Sequence, residues 1–164
     1  MTSHATHSFL ERFPGPYSFQ LGTDGVDNTF YIYCLTTGSR IIAATYWNEE
    51  EQAELIAAVV TLALELSRQP DAQASTCRES EQKLKAFELQ HPGPYLCKEF
   101  VYDNVRAEIG VASFSEDSLI IGSVDIPHDS EARQTAWHIA NALNRVFGHP
   151  AGHIRNAVVT HIRR

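Results

Sequence analysis

One motif occurs twice in this chain and limits what it can become. Pro14-Gly15-Pro16-Tyr17 returns as Pro92-Gly93-Pro94-Tyr95, 78 residues later. At an offset of 79, Phe30 aligns with Ile109, Ile32 with Val111, and Leu35 with Phe114. At that offset Ser39 also aligns with Ser118, and Ile41 and Ile42 with Ile120 and Ile121. At an offset of 83, Ala53, Ile56, Ala57, Val60, Ala63 and Leu64 match Ala136, Ile139, Ala140, Leu143, Val146 and Phe147. Three blocks in the same order read as a duplicated module. Two copies at this period exclude a solenoid.

Each copy has the same grammar. Pro restricts both itself and its predecessor, so Pro-Gly-Pro sets a bend and releases an extended chain. Tyr17 to Leu21 reads as a strand, and Thr23-Asp24-Gly25 and Asp27-Asn28 as turn residues. Thr29 to Thr36 is β-branched and aromatic, with Phe30, Ile32 and Cys34 on one side. Thr37-Gly38 is a hairpin turn, and Arg40 to Trp47 is a third strand. Asn48 followed by Glu51 is a capping box for a helix reaching about Ser67. Leu55, Val59, Leu62 and Leu66 widen its apolar stripe, which suggests burial on two sides, one of which could face a partner. In the second copy, Tyr95 to Tyr102, Val105 to Phe114 and Ser118 to Ile126 are strands. Asp129 caps a helix from about Ser130 to Phe147, and Gly148 stops it.

The expected fold is α+β: two tandem βββα modules forming antiparallel sheet covered by helices. Short turns between neighbouring strands make each module a meander. Side by side, the two would form a six-stranded sheet under two helices. The divisions are residues 1–67 (first module with a short N-terminal helix), 68–91 (linker and short helix), 92–147 (second module) and 148–164 (tail).

The 164 residues carry 13 Lys+Arg against 20 Asp+Glu, a net charge of −7. That excludes a protein gripping nucleic acid with its whole surface. No apolar run approaches the ~18 residues of a membrane span. Residues 1–12 show no basic start followed by an apolar stretch, so no secretory signal is expected. Cys34, Cys77 and Cys97 are scattered and odd in number, which reads as reduced thiols in a cytosol. Cys34 is expected in the core, and Cys77, beside Arg78, is the candidate exposed thiol.

Pro14 to Tyr17, followed by a hairpin and the helix segment Glu54-Leu55-Ile56-Ala57-Ala58, resembles a group of small uncharacterised phage and prophage proteins. Those proteins begin Thr-Pro-Gly-Pro-Trp. Pro92 to Tyr95 and Ile139-Ala140-Asn141-Ala142 carry the resemblance again in the second copy. Here Tyr replaces the Trp, Phe13 and His91 replace the Thr, and the group's Ala-Pro-Glu helix break is missing. The group has no established activity. The resemblance implies a mobile-element context, in which small acidic proteins often block host defence.

The residues offer little catalytic grammar. There is no nucleophile elbow, Walker loop or dinucleotide fingerprint. His149 and His153 have an i, i+4 spacing, but Pro150 and Gly152 argue against the continuous helix it needs. With His161 they are the candidate ligands; no metal and no cofactor is expected. Arg155, Arg163 and Arg164 make residues 148–164 basic (+3) on a body of −10. These arginines are candidate contacts to nucleic acid or an acidic partner, although Ala157-Val158-Val159-Thr160 is strand-like and favours docking on the body. Glu49, Glu50, Glu51 and Glu54 complement the helix dipole and, with Tyr46 and Trp47 as anchors, form a candidate acidic partner-binding face.

The first functional expectation is therefore a non-enzymatic binding protein. It would inhibit a bacterial defence complex of CRISPR type, or another host complex, by occupying its nucleic-acid or partner-binding surface. The second is sequestration of a signalling nucleotide, with Tyr17, Tyr95 or Trp47 stacking on the base. A secretion-type chaperone and a histidine-based metal hydrolase rank last. A homodimer in the cytoplasm of a bacterial host is expected.

Overall fold

The computed structural model describes residues 9–22, 29–45, 50–69, 78–102, 106–114, 119–122, 129–149 and 158–162. A single helical turn, α1 (9–12), leads into β1 (Tyr17–Leu21), β2 (Thr29–Cys34), β3 (Ser39–Thr45) and α2 (Glu50–Arg68). Then follow α3 (Arg78–Gln90), β4 (Tyr95–Tyr102), β5 (Arg106–Ser113), β6 (Leu119–Gly122), α4 (Asp129–Val146) and β7 (Val158–Ile162). The protein is α+β. Six strands pair antiparallel in the order β1-β2-β3-β6-β5-β4, and β7 adds to β4 in parallel.

The alternation read from β2 holds. Phe30, Ile32 and Cys34 share one core with Ile42 and Ala44 of β3, Ile109 and Val111 of β5, and the apolar stripes of α2 and α4. The opposite face is not bare: Tyr31, Leu96, Lys98 and Ala112 are buried there too. Arg40 lies 4.0 Å over the Tyr31 ring. Two bulges break the hairpins. The β2–β3 register shifts between Ile32 and Tyr33, leaving Ile41 as the extra residue. The β5–β6 register shifts between Val111 and Ala112, leaving Ile120 extra. Such insertions bend a strand and increase its twist. β3 meets β6 at Ala43↔Gly122, where the two three-stranded meanders become one sheet.

The helices correct one reading of the sequence. The buried positions of α2 are 53, 56, 57, 59, 60, 61, 63 and 64. Those of α4 are 132, 135, 136, 138, 139, 140, 142, 143 and 144. At an offset of 79 every buried α2 position falls on a buried α4 position, and only Asn144, opposite half-buried Glu65, is additional. At 83, positions 63 and 64 fall on the half-buried Val146 and Phe147. Sliding a helix by four residues turns it only about 40° beyond a full turn, so an apolar stripe overlays itself almost as well. The α4 end is a Schellman motif: Gly148 (φ +74) and His149 donate back to the carbonyls of Arg145 and Asn144 at 3.3 and 2.7 Å.

The short helices cross between the halves. In α1, the Phe9 ring stacks on His138 of α4 (centroids 3.9 Å apart, 15° between planes). Arg12 donates to Thr135 at 3.3 Å and lies 3.5 Å from Glu131, both also on α4. α3 in turn packs on α2. Of the residues that widen the apolar stripe of α2, Val59 is covered within the chain (1% exposed), while Leu55, Leu62 and Leu66 are half-buried.

This interlocking predicts that Phe9→Ala and Phe87→Ala each cost about 3–5 kcal/mol, because both rings are fully buried. In urea unfolding followed by far-UV circular dichroism and tryptophan fluorescence, each variant should shift one shared transition. An early transition confined to one half would contradict the arrangement.

Candidate functional site

The two Pro-Gly-Pro-Tyr corners are built alike. The peptide bonds Gly15–Pro16 and Gly93–Pro94 are cis. The Tyr17 hydroxyl donates to the Phe13 carbonyl at 2.7 Å, and the Tyr95 hydroxyl to the His91 carbonyl at 2.6 Å. Each tyrosine's backbone is gripped from the end of a long helix. Tyr17 N–H donates to Glu65 Oε1. Tyr95 N–H donates to Asn144 Oδ1 at 2.7 Å, and Asn144 Nδ2 returns a bond to the Tyr95 carbonyl at 2.8 Å. Arg68 pairs with Glu65 at 2.9 Å and lies against Gly15. A Cβ at Gly15 would stand 2.5 Å from Arg68 Cδ, and the φ of +85° independently favours glycine there.

The titratable groups here are tuned for packing. Burial, reinforced by Cys34 and Glu65 and opposed by Arg68, pushes the Tyr17 hydroxyl up to about 12. It therefore remains a hydrogen-bond donor at ordinary pH. Burial raises Cys97 to about 11. Burial also acts to raise Cys34, but hydrogen bonds from the Thr37 side chain and from the backbone at Thr37, Gly15 and Thr36 outweigh it and hold the thiol below its usual value. Cys34 is nonetheless fully buried, which suits the core role read from its alternation with Phe30 and Ile32. His138 is pushed down to about 4, first by burial and then by Arg145.

Three glutamates of the candidate acidic face lie within the described residues. Glu50, Glu51 and Glu54 are all exposed on the opening turns of α2, with Glu50 and Glu54 one turn apart on one side. Their charge sits where the helix dipole favours it. Tyr46, Trp47 and Glu49 lie outside the described residues, as do Cys77, His153, Arg155, Arg163 and Arg164. His149 is half-buried at the end of α4, edge-on to Tyr95 with centroids 6.0 Å apart. Of His161 only the backbone is described, within β7. Among the described residues, no three His, Cys, Asp or Glu side chains gather to hold a metal ion. Val158–Ile162 pairs with β4 from Lys98 to Tyr102, so this part of the basic tail docks on the body.

Sequence reading missed the Glu65 and Asn144 clamps and the burial of His138. The clamps have a signal only after the helices are aligned at 79, which places Glu65 opposite Asn144. His138 stands opposite Val59 in that alignment, an apolar core position.

No helix is long and apolar enough to cross a membrane among the described residues. No family model, curated protein or solved structure matches this chain.

Two outcomes follow from this geometry. Asn144→Leu removes both side-chain bonds to the Tyr95 backbone and should cost about 1–3 kcal/mol for each, read by urea unfolding. His138 takes a proton in the unfolded chain below 6.5 but in the folded chain only near 4. Its effect is absent above pH 6.5, and stability falls as pH drops from 6.5 towards 4, by roughly 3 kcal/mol at most. His138→Leu should flatten that part of the stability–pH curve, and an unchanged slope would refute the assignment.

Proposed function

We propose that this chain is a non-enzymatic binding protein of phage or mobile-element origin, made of two tandem βββα modules. It inhibits a bacterial defence complex of CRISPR type, or a comparable host complex, by occupying its nucleic-acid or partner-binding surface in the host cytoplasm.

The duplication is supported by correspondences at one offset. The extra residues at the two bulges, Ile41 and Ile120, are 79 apart, as are the clamps Glu65 and Asn144. Ala43 and Gly122 are also 79 apart and pair with each other, as residues beside a local two-fold axis would. The rings of Phe9 and Phe13 stand 5.2 Å apart, and so do those of Phe87 and His91.

One observation carries the function: the exposed row Glu50, Glu51 and Glu54 on the first turns of α2, on a body of charge −10. Carboxylates held on a helix can meet the lysines and arginines that a nucleic-acid-binding surface presents to phosphates. Tyr46 and Trp47, adjoining in sequence, would supply the apolar anchors.

The test uses a purified CRISPR-type interference complex and its target DNA. The wild-type chain should reduce DNA loading, with weaker effect at higher salt. A protein carrying Glu50→Lys, Glu51→Lys and Glu54→Lys should lose at least about tenfold in affinity and much of that salt dependence. Unchanged inhibition by the triple variant would reject this face, and no inhibition by the wild type would reject the reading for this class of complex.

A further inference from the structure

The two outer edges of the sheet differ. At one, the last strand is β7, paired in parallel with β4 from Lys98 to Tyr102. At the other, β1 pairs only with β2 among the described residues. The direction of its backbone groups follows from two hydrogen bonds at its ends. Leu35 N–H donates to the Pro16 carbonyl and Gly22 N–H to the Thr29 carbonyl, both at 2.8 Å. With the register Ser18↔Tyr33 and Gln20↔Tyr31, the even-numbered residues turn their N–H and C=O groups toward β2. Tyr17, Phe19 and Leu21 therefore turn theirs outward. Glu65 takes the Tyr17 N–H. The outward groups of Phe19 and Leu21 have no protein partner among the described residues.

From this we propose that β1 is a self-association edge, pairing antiparallel with β1 of a second copy to form a homodimer with one continuous sheet. The strand is self-complementary. Only odd-numbered residues offer outward hydrogen bonds, so bonding places odd opposite odd. Tyr17, Phe19 and Leu21 of both copies then fall on one face, and Ser18 and Gln20 on the other. Leu21, 46% exposed, gains cover from its counterpart. Edge strands that avoid pairing commonly carry a charge. Tyr17–Leu21 carries none, although the chain as a whole has a charge of −7, so two copies meet here without opposed like charges. The contact is isologous, using the same strand in both copies, so pairing through β1 closes at two copies. The proposal does not depend on the inhibitory function.

The full-length chain tests it by sedimentation over a concentration series, with hydrogen exchange at the Phe19 and Leu21 amides. Wild type should be a dimer in which both amides are protected. Leu21→Pro removes an outward N–H that β2 does not use, and should give a monomer with an unchanged far-UV spectrum. Gln20→Lys, at an exposed position, sets like charges near each other across the edge and should weaken the dimer about tenfold. If Leu21→Pro alters the spectrum, Gln20→Lys decides alone. A wild type monomeric at its highest soluble concentration would overturn the proposal. So would a dimer indifferent to Gln20→Lys with both amides exchanging freely, as one formed by trading β7 would be.

Discussion

The junction of β3 and β6 is the constraint on which the rest of this structure depends. A three-stranded meander under one helix is a small unit, with too little apolar burial to offset much chain entropy. Pairing at Ala43↔Gly122 turns two such units into one sheet, and α2 and α4 then share one core. α1 and α3 secure the union from outside. Each crosses to the long helix of the other half, α1 with the Phe9 ring against His138. Of the apolar excess of α2, Val59 is buried in this exchange, while Leu55, Leu62 and Leu66 stay half-buried.

The Pro-Gly-Pro-Tyr corners serve the same end. Each must place a strand, bury a tyrosine and satisfy backbone groups that no neighbouring strand reaches. Glu65 and Asn144 supply that satisfaction from the ends of the long helices, tying helix to sheet. An unpaired N–H at either place would cost more than the bond formed there contributes. The polar residues Glu65 and Asn144 at these corners therefore have a structural role in tying helix to strand.

Much of the architecture is local and so was legible in the residues. The alternation of Phe30, Ile32 and Cys34, the Thr37-Gly38 turn and the Gly148 stop each reflect short-range chemistry, and the strands and long helices end within a few residues of expectation. Of the strand expected over Ser118 to Ile126, Leu119–Gly122 is described and the rest lies outside the described residues. What was not legible is long-range. Helix periodicity left the 79 and 83 alignments nearly equivalent, and no local pattern shows that α1 crosses to α4 or that β7 joins β4 in parallel. The candidate site was legible only as charge: Glu50, Glu51 and Glu54 are exposed as the pattern implies, while the aromatic and arginine members lie outside the described residues.

Native-state hydrogen exchange at the Ala43 and Gly122 amides tests the union of the two halves most directly. If the β3–β6 pair holds the sheet together, both amides exchange only through global unfolding, with the same denaturant dependence as Ile32 and Val111 in the flanking strands. Exchange at Ala43 and Gly122 through a smaller opening, while Ile32 and Val111 stay protected, would show that the halves fold separately and would contradict the account.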